Sequence, residues 1–149
     1  MKFRLVESIS KNFTVNSYID KIKTAYENFD SSDITLKDIE DQDRTKFRVW
    51  PQHDCAAFVG CMSKSMDKFG IDHTIHIGLA LPEKLKKPSP AEIEEMQDIL
   101  KNDPDAHLVN HCWIVSNNKV YEIHDLNKGN NYNNKYIDIK IDKNLIRGN

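Results

Sequence analysis

Cys55, in the run Asp54-Cys55-Ala56-Ala57-Phe58, holds the most chemical promise, because an apolar stripe of helical period begins at Phe58 and sets the thiol at a helix start. A thiol there feels the partial positive charge of unpaired backbone N–H groups, which favours the thiolate below a free cysteine's pKa of about 8.5. The same N–H groups suit an oxyanion. A partner base is expected at His111, in the run Leu108-Val109-Asn110-His111-Cys112-Trp113-Ile114-Val115, where a strand beside the helix start holds an imidazole rigidly. A third polar group follows in Val120-Tyr121-Glu122-Ile123-His124-Asp125. Glu122 and His124 share one face of a regular strand and Asp125 takes the other, so parity leaves the orienting group open among the three. Nucleophile, base and orienter in that order describe thiol attack on an amide carbonyl, with the imidazole taking the thiol proton and returning it to the leaving amine. The plainer reading makes Cys55 a small buried hydrophobe and His111 a hydrogen-bonded strand residue.

The elements that must position these groups are legible in the apolar spacing. Residues 1–7 alternate as a short strand, and Val15, Tyr18, Ile19, Ile22, Ala25, Tyr26 and Phe29 then recur on one helical face. Asp30-Ser31-Ser32-Asp33 breaks that helix, Thr35 caps a short turn, and residues 46–50 read as extended up to Pro51. The second long helix is expected over 55–69, with Phe58, Val59, Met62, Met66 and Phe69 as its buried stripe and Gly70 ending it. A strand over 71–81 should lay Ile75, Ile77, Leu79 and Leu81 on the core, before an exposed loop over 82–88. Ser89-Pro90-Ala91-Glu92 combines a capping hydroxyl, a proline at the first helical position and a glutamate to close a capping box, so a surface helix runs to about Leu100. Runs over 108–115 and 119–124 form a hairpin about Ser116-Asn117-Asn118. An Asn- and Gly-rich loop over 127–134 precedes an edge strand over 135–141. This order predicts an α+β domain, one across all 149 residues.

Bulk properties narrow the function. The 21 Lys and Arg against 23 Asp and Glu show no long run of one sign, so neither nucleic acid nor an anionic membrane is an expected partner. No segment approaches the roughly 20 apolar residues of a membrane span, and the N-terminal residues have no apolar core of a signal peptide. Three cysteines, an odd number without the density of a disulfide framework, fit a reducing, cytoplasmic setting and leave a thiol free. A net charge of -2 sets no strong bar to association, so oligomeric state stays open.

The run HDCAAFVGCMSKSMDKFGIDHTIHIGLAL, followed after an insertion by NHCWIVSNNKVYEIHD, resembles the core of the transglutaminase-like branch of papain-fold cysteine enzymes. The resemblance covers residues 50–125 and rests on Cys55 opening a helix, Gly70-Ile71 leading into a strand, His111 with Trp113, and Asp125 on a nearby strand. It departs where His53 replaces the family's glycine and where Asp125 falls one residue late. The chain is also similar to NlpC-type cell-wall peptidases through Asp54-Cys55-Ala56-Ala57-Phe58-Val59 and through His124 as a second histidine after the base. Both resemblances imply a papain-like fold, helices packed on a small antiparallel sheet, and a protein or peptide amide substrate. Both also imply a Cys55–His111 pair completed by Asp125 or His124. Gln52 and Trp50 are candidates for the oxyanion by position, while Trp50 and Trp113 are read as packing residues, with walls of a substrate groove as the alternative. No cofactor or metal belongs to this reading. Its rivals are a zinc site drawn from His53, Cys55, Cys61, His73, His76, His107, His111, Cys112 and His124, and a binding module without catalysis. Cys61 and Cys112 are expected in the core, the latter out of phase with His111.

Overall fold

The computed structural model describes residues 13–49, 54–81, 88–103, 105, 109–123 and 136–147. The expected N-terminal strand, the 82–87 part of the loop expected over 82–88 and the 127–134 loop lie outside them. Helix α1, Val15–Asn28, opens on Thr14, whose hydroxyl accepts the Ser17 N–H at 2.9 Å while the Ser17 side chain returns to the Thr14 N–H at 3.0 Å. Such a cap is worth about 1 kcal/mol. Its buried face is Val15, Tyr18, Ile22 and Ala25. Helix α2, Leu36–Asp41, is capped by Thr35 and stops at Gln42, whose φ of 50° is left-handed. Of the extended segment expected over 46–50, Lys46 instead closes a turn, its N–H on the Asp43 carbonyl at 2.9 Å while Asp43 also accepts from Thr45, and Trp50 lies outside the described residues. Only Val49 then forms an isolated bridge.

Helix α3, Cys55–Lys68, begins at the cysteine as expected, with Asp54 as its cap. Gly70, at φ 67°, lets the Ile71 N–H return to the Met66 carbonyl at 2.8 Å. Phe69 lies beyond the last turn and is exposed, so the buried stripe ends at Met66. Helices α1 and α3 cross at Gly60, where an added Cβ would meet the Ile22 carbonyl oxygen at 2.5 Å.

Four strands follow: β1 Thr74–Ala80, β2 His111–Ser116, β3 Lys119–Tyr121 and β4 Tyr136–Ile141. They form one antiparallel sheet in the order β3-β2-β1-β4. The hairpin turn uses Asn117 and Asn118 at φ 51° and 63°, the left-handed pair such a turn requires. Strand β1 starts three residues later than expected, because the Asp72 carbonyl is taken by the Ser116 hydroxyl at 2.6 Å and the Ile71 carbonyl by His73 at 2.9 Å. Both its faces are buried, not one. Ile75, Ile77, Cys112, Ile114, Ile139 and Ile141 pack with α1 and α3. On the opposite parity His76, His111, Trp113 and Tyr136 stack against one another, with Trp113 and Tyr136 centroids 4.4 Å apart.

Helix α4, Pro90–Asn102, has the expected capping box at Ser89 and Glu92 but is less superficial than its composition implies. Met96 is fully buried against Leu79 and Ile137. A last turn, α5 Asn144–Arg147, is tied to α3 by Arg147 Nε on Asp67 at 2.9 Å, and the Tyr26 hydroxyl reaches the same carboxylate at 2.7 Å. The architecture among the described residues is α+β, five helices with a four-stranded antiparallel sheet. None of those helices is long and apolar enough to cross a membrane.

Candidate active site

Asp54 accepts the Ala57 N–H at 3.0 Å and so fixes the turn on which the Cys55 thiol sits. Three side chains act on that sulfur. The His111 imidazole, from the first residue of β2, favours its thiolate electrostatically. The Cys112 thiol donates to it across 3.6 Å. The Tyr18 hydroxyl, from α1, feels its charge. The Cys112 bond and then His111 outweigh burial, and the Cys55 thiol is pulled down to about 5. Burial works against charge on His111, yet the bonds to Cys55 and Glu122 more than offset it and raise the imidazole to about 9. Near neutral pH the pair is therefore thiolate and imidazolium. Burial, followed by the Cys55 bond, holds the Cys112 thiol well above its usual range. Burial and then the charge on Cys55 push the Tyr18 hydroxyl upward too, so both neighbours stay protonated donors.

Glu122 stands behind the imidazole. Its Oε1 lies 3.5 Å from His111 Nε2, with both side chains buried. The Tyr136 hydroxyl donates to the other carboxylate oxygen, and burial followed by that bond raises the hydroxyl's pKa. The backbone of Glu122 is held from α2: its N–H donates to Gln42 Oε1 at 3.0 Å, while Gln42 Nε2 donates to the Val120 carbonyl at 2.9 Å. One amide side chain thus mimics a neighbouring strand at the edge of β3. Asn110 does the same before His111, its side chain bonding the Ala80 N–H and carbonyl at 2.8 and 3.2 Å. The base is thereby anchored through backbone on one side and the carboxylate on the other.

Cys55, His111 and Glu122 come together, whereas Asp125, His124, Gln52 and Trp50 lie outside the described residues. Trp113 is a packing residue and not a groove wall: it is fully buried between His76, His111 and Tyr136. Cys112 has a contact that the sequence did not show. Its side chain is in the core, as expected, but its sulfur touches the candidate nucleophile. Cys61 is core alone, with burial lifting its thiol to about 12. Sequence reasoning missed Tyr18, Gln42 and Asn110. A tyrosine hydroxyl inside a helical stripe was the one visible signal, because a buried phenol needs a partner.

Among the described residues no group of three His, Cys, Asp or Glu side chains is arranged to hold a metal ion. His73 is bonded to Ser63 at 2.7 Å and to the Ile71 carbonyl at 2.9 Å, and His76 to Thr74 at 2.7 Å and to Asp138. A cavity of about 170 Å³ opens beside the start of α3, between Arg44, Phe47, Arg48, Asp54, Phe58 and Ile123. A larger one, about 530 Å³, lies near Thr74 and Lys143, at the opposite end of β1 from the Gly78–His111 pairing. The smaller is the relevant one for Cys55, since Asp54 and Phe58 line it. No family model, curated protein or solved structure matches the chain.

Proposed function

We propose that this chain is a thiol-dependent amide hydrolase or acyl transferase with a papain-like arrangement, Cys55 acting as nucleophile, His111 as acid–base and Glu122 as the orienting carboxylate. The single observation that carries the reading is the mutual electrostatic effect of Cys55 and His111, the thiol depressed and the imidazole raised, at a sulfur 3.6 Å from that of Cys112, the residue next to His111 in β2. An acidic thiol beside a basic imidazole is what covalent attack on an amide requires at neutral pH. Because Nε2 faces Glu122, the other ring nitrogen is left for the thiol. The thiolate attacks the carbonyl carbon, the imidazolium gives its proton to the leaving amine, and water or a second amine releases the acyl group. The first-turn N–H groups of α3 and the Tyr18 hydroxyl are candidate donors to the developing oxyanion. Gln52 and Trp50 remain the candidates from the chain before the helix.

A carboxylate beside Nε2 favours the transglutaminase-like pattern, which uses an acid there, over the NlpC-type pattern, which uses a second histidine. The test is a panel of three readouts: ammonia released from glutamine peptides, a dansylated amine joined to casein, and peptide-bond cleavage. Wild type should be active in one of them and Cys55→Ala in none. Undiminished turnover by Cys55→Ala would end the reading.

A further inference from the structure

Cys112 serves the active site as a hydrogen-bond donor to the Cys55 sulfur, and the same contact has a redox consequence. Cys112 Sγ is 3.6 Å from Cys55 Sγ, so the two must close by about 1.5 Å to reach the bonded separation of about 2.05 Å. The pair sits at a junction of unlike elements, the first turn of α3 and the second residue of β2. The two thiols are also unequal. Cys55 retains 9% exposure at the helix start, while Cys112 is fully buried. Cys61 is buried mid-helix, with no sulfur bonded to it among the described residues. An oxidant therefore meets Cys55 first, and Cys112 is the thiol already in place to resolve the product.

The geometry points to a reversible Cys55–Cys112 disulfide that forms when a hydroperoxide oxidises Cys55. In the first step the Cys55 thiolate attacks one peroxide oxygen. The S–O bond forms, the O–O bond breaks, and the departing alkoxide takes a proton from the His111 imidazolium to leave as the alcohol. In the second step the Cys112 sulfur attacks the sulfenic acid. The S–S bond forms, the S–O bond breaks, and hydroxide leaves with the Cys112 proton as water. Two thiols have lost two electrons and two protons, and the hydroperoxide has become alcohol and water. A dithiol such as dithiothreitol reverses the change by thiol–disulfide exchange. The resolving step keeps Cys55 from the irreversible sulfinic state. The inference rests on the two sulfurs and does not require amide turnover.

The test treats the wild-type chain with equimolar hydrogen peroxide, blocks remaining thiols under denaturing conditions and maps the peptides by mass. A Cys55–Cys112 linked pair with Cys61 blocked as a free thiol, removed by dithiothreitol, is the expected result. Cys112→Ser should instead leave Cys55 as the unresolved sulfenic acid at the same dose, trapped with dimedone before the thiols are blocked. Wild-type Cys55 found as sulfinic acid beside a free Cys112, a link to Cys61, or three untouched thiols would each overturn the proposal. Because the wild-type peptide map is decisive by itself, poor folding of the variant does not affect the outcome. A linked pair without amide turnover in any assay would keep the disulfide and remove only the hydrolase reading.

Discussion

His111 Nε2 stands 3.5 Å from Glu122 Oε1, with both groups shielded from solvent, and the carboxylate helps Cys55 hold the imidazole above its usual range. Glu122→Gln keeps the shape and a partner for Tyr136 but removes the negative charge. The imidazole should fall from about 9 and the Cys55 thiol should rise from about 5, since each stabilises the charged form of the other. Iodoacetamide labelling of Cys55, followed against pH, reads both changes, and turnover at neutral pH should drop by roughly tenfold to a hundredfold. An unmoved labelling midpoint would leave Glu122 a structural residue.

Wild-type labelling has its own pH signature. Cys55 should label half-maximally near pH 5, while Cys61, held at about 12 by burial, and Cys112, also raised by burial, should stay slow at neutral pH. Stability follows the same protons. The Cys55 thiol is depressed in the folded state, so its contribution is complete above the unfolded thiol's pKa and vanishes as pH falls through about 5. His111 is raised, so its contribution is complete below the ordinary imidazole value of 6.5 and is lost as pH climbs to about 9. The two slopes oppose each other between 6.5 and 9, which leaves the acid side as the visible one. Thermal unfolding should show a midpoint falling from pH 6.5 towards 5, and Cys55→Ala should flatten that fall.

Tyr18 offers a finer probe. Its hydroxyl feels the charge on the Cys55 sulfur, and where a hydroxyl donates to a charged group the bond is worth about 1.5 kcal/mol, or roughly one pKa unit. Tyr18→Phe keeps the ring in the α1 stripe and should raise the Cys55 labelling midpoint by about one unit. A midpoint unchanged in that variant would mean that the hydroxyl does not support the thiolate.

The residues legible in the sequence were those whose signals are local. Asp54 before Cys55, the Ser89–Glu92 box and the two asparagines of the hairpin each act within a few residues, and the structure follows them. The third site member was not legible, because it depends on where β3 stops. That strand ends at Tyr121, and Glu122 is then held by Gln42 from a helix far back in the chain. Strand parity made Cys112 look unrelated to His111, yet the helix start reaches both, since Cys55 meets the strand at its first two residues. Tyr18 was hidden among aliphatic neighbours, for a buried phenol and a buried isoleucine produce the same helical period.

The crossing of α1 over α3 decides whether Tyr18 reaches the thiol at all, and Gly60 permits that crossing. A Cβ there would stand 2.5 Å from the Ile22 carbonyl oxygen, 2.6 Å from the Ala25 Cβ and 2.8 Å from the Tyr26 amide nitrogen. Two of the three are backbone atoms, so α1 itself has to shift. Gly60→Ala gains up to about 1 kcal/mol of helix propensity, while overpacking of this kind costs typically about 1–3 kcal/mol. The clash should win, lowering the urea midpoint without changing the slope. Because α1 carries Tyr18, the same substitution should also raise the Cys55 labelling midpoint in the direction of Tyr18→Phe. A Gly60→Ala protein of greater stability than wild type would show that the helices separate freely, and the proposed link between their crossing and the thiol would fail.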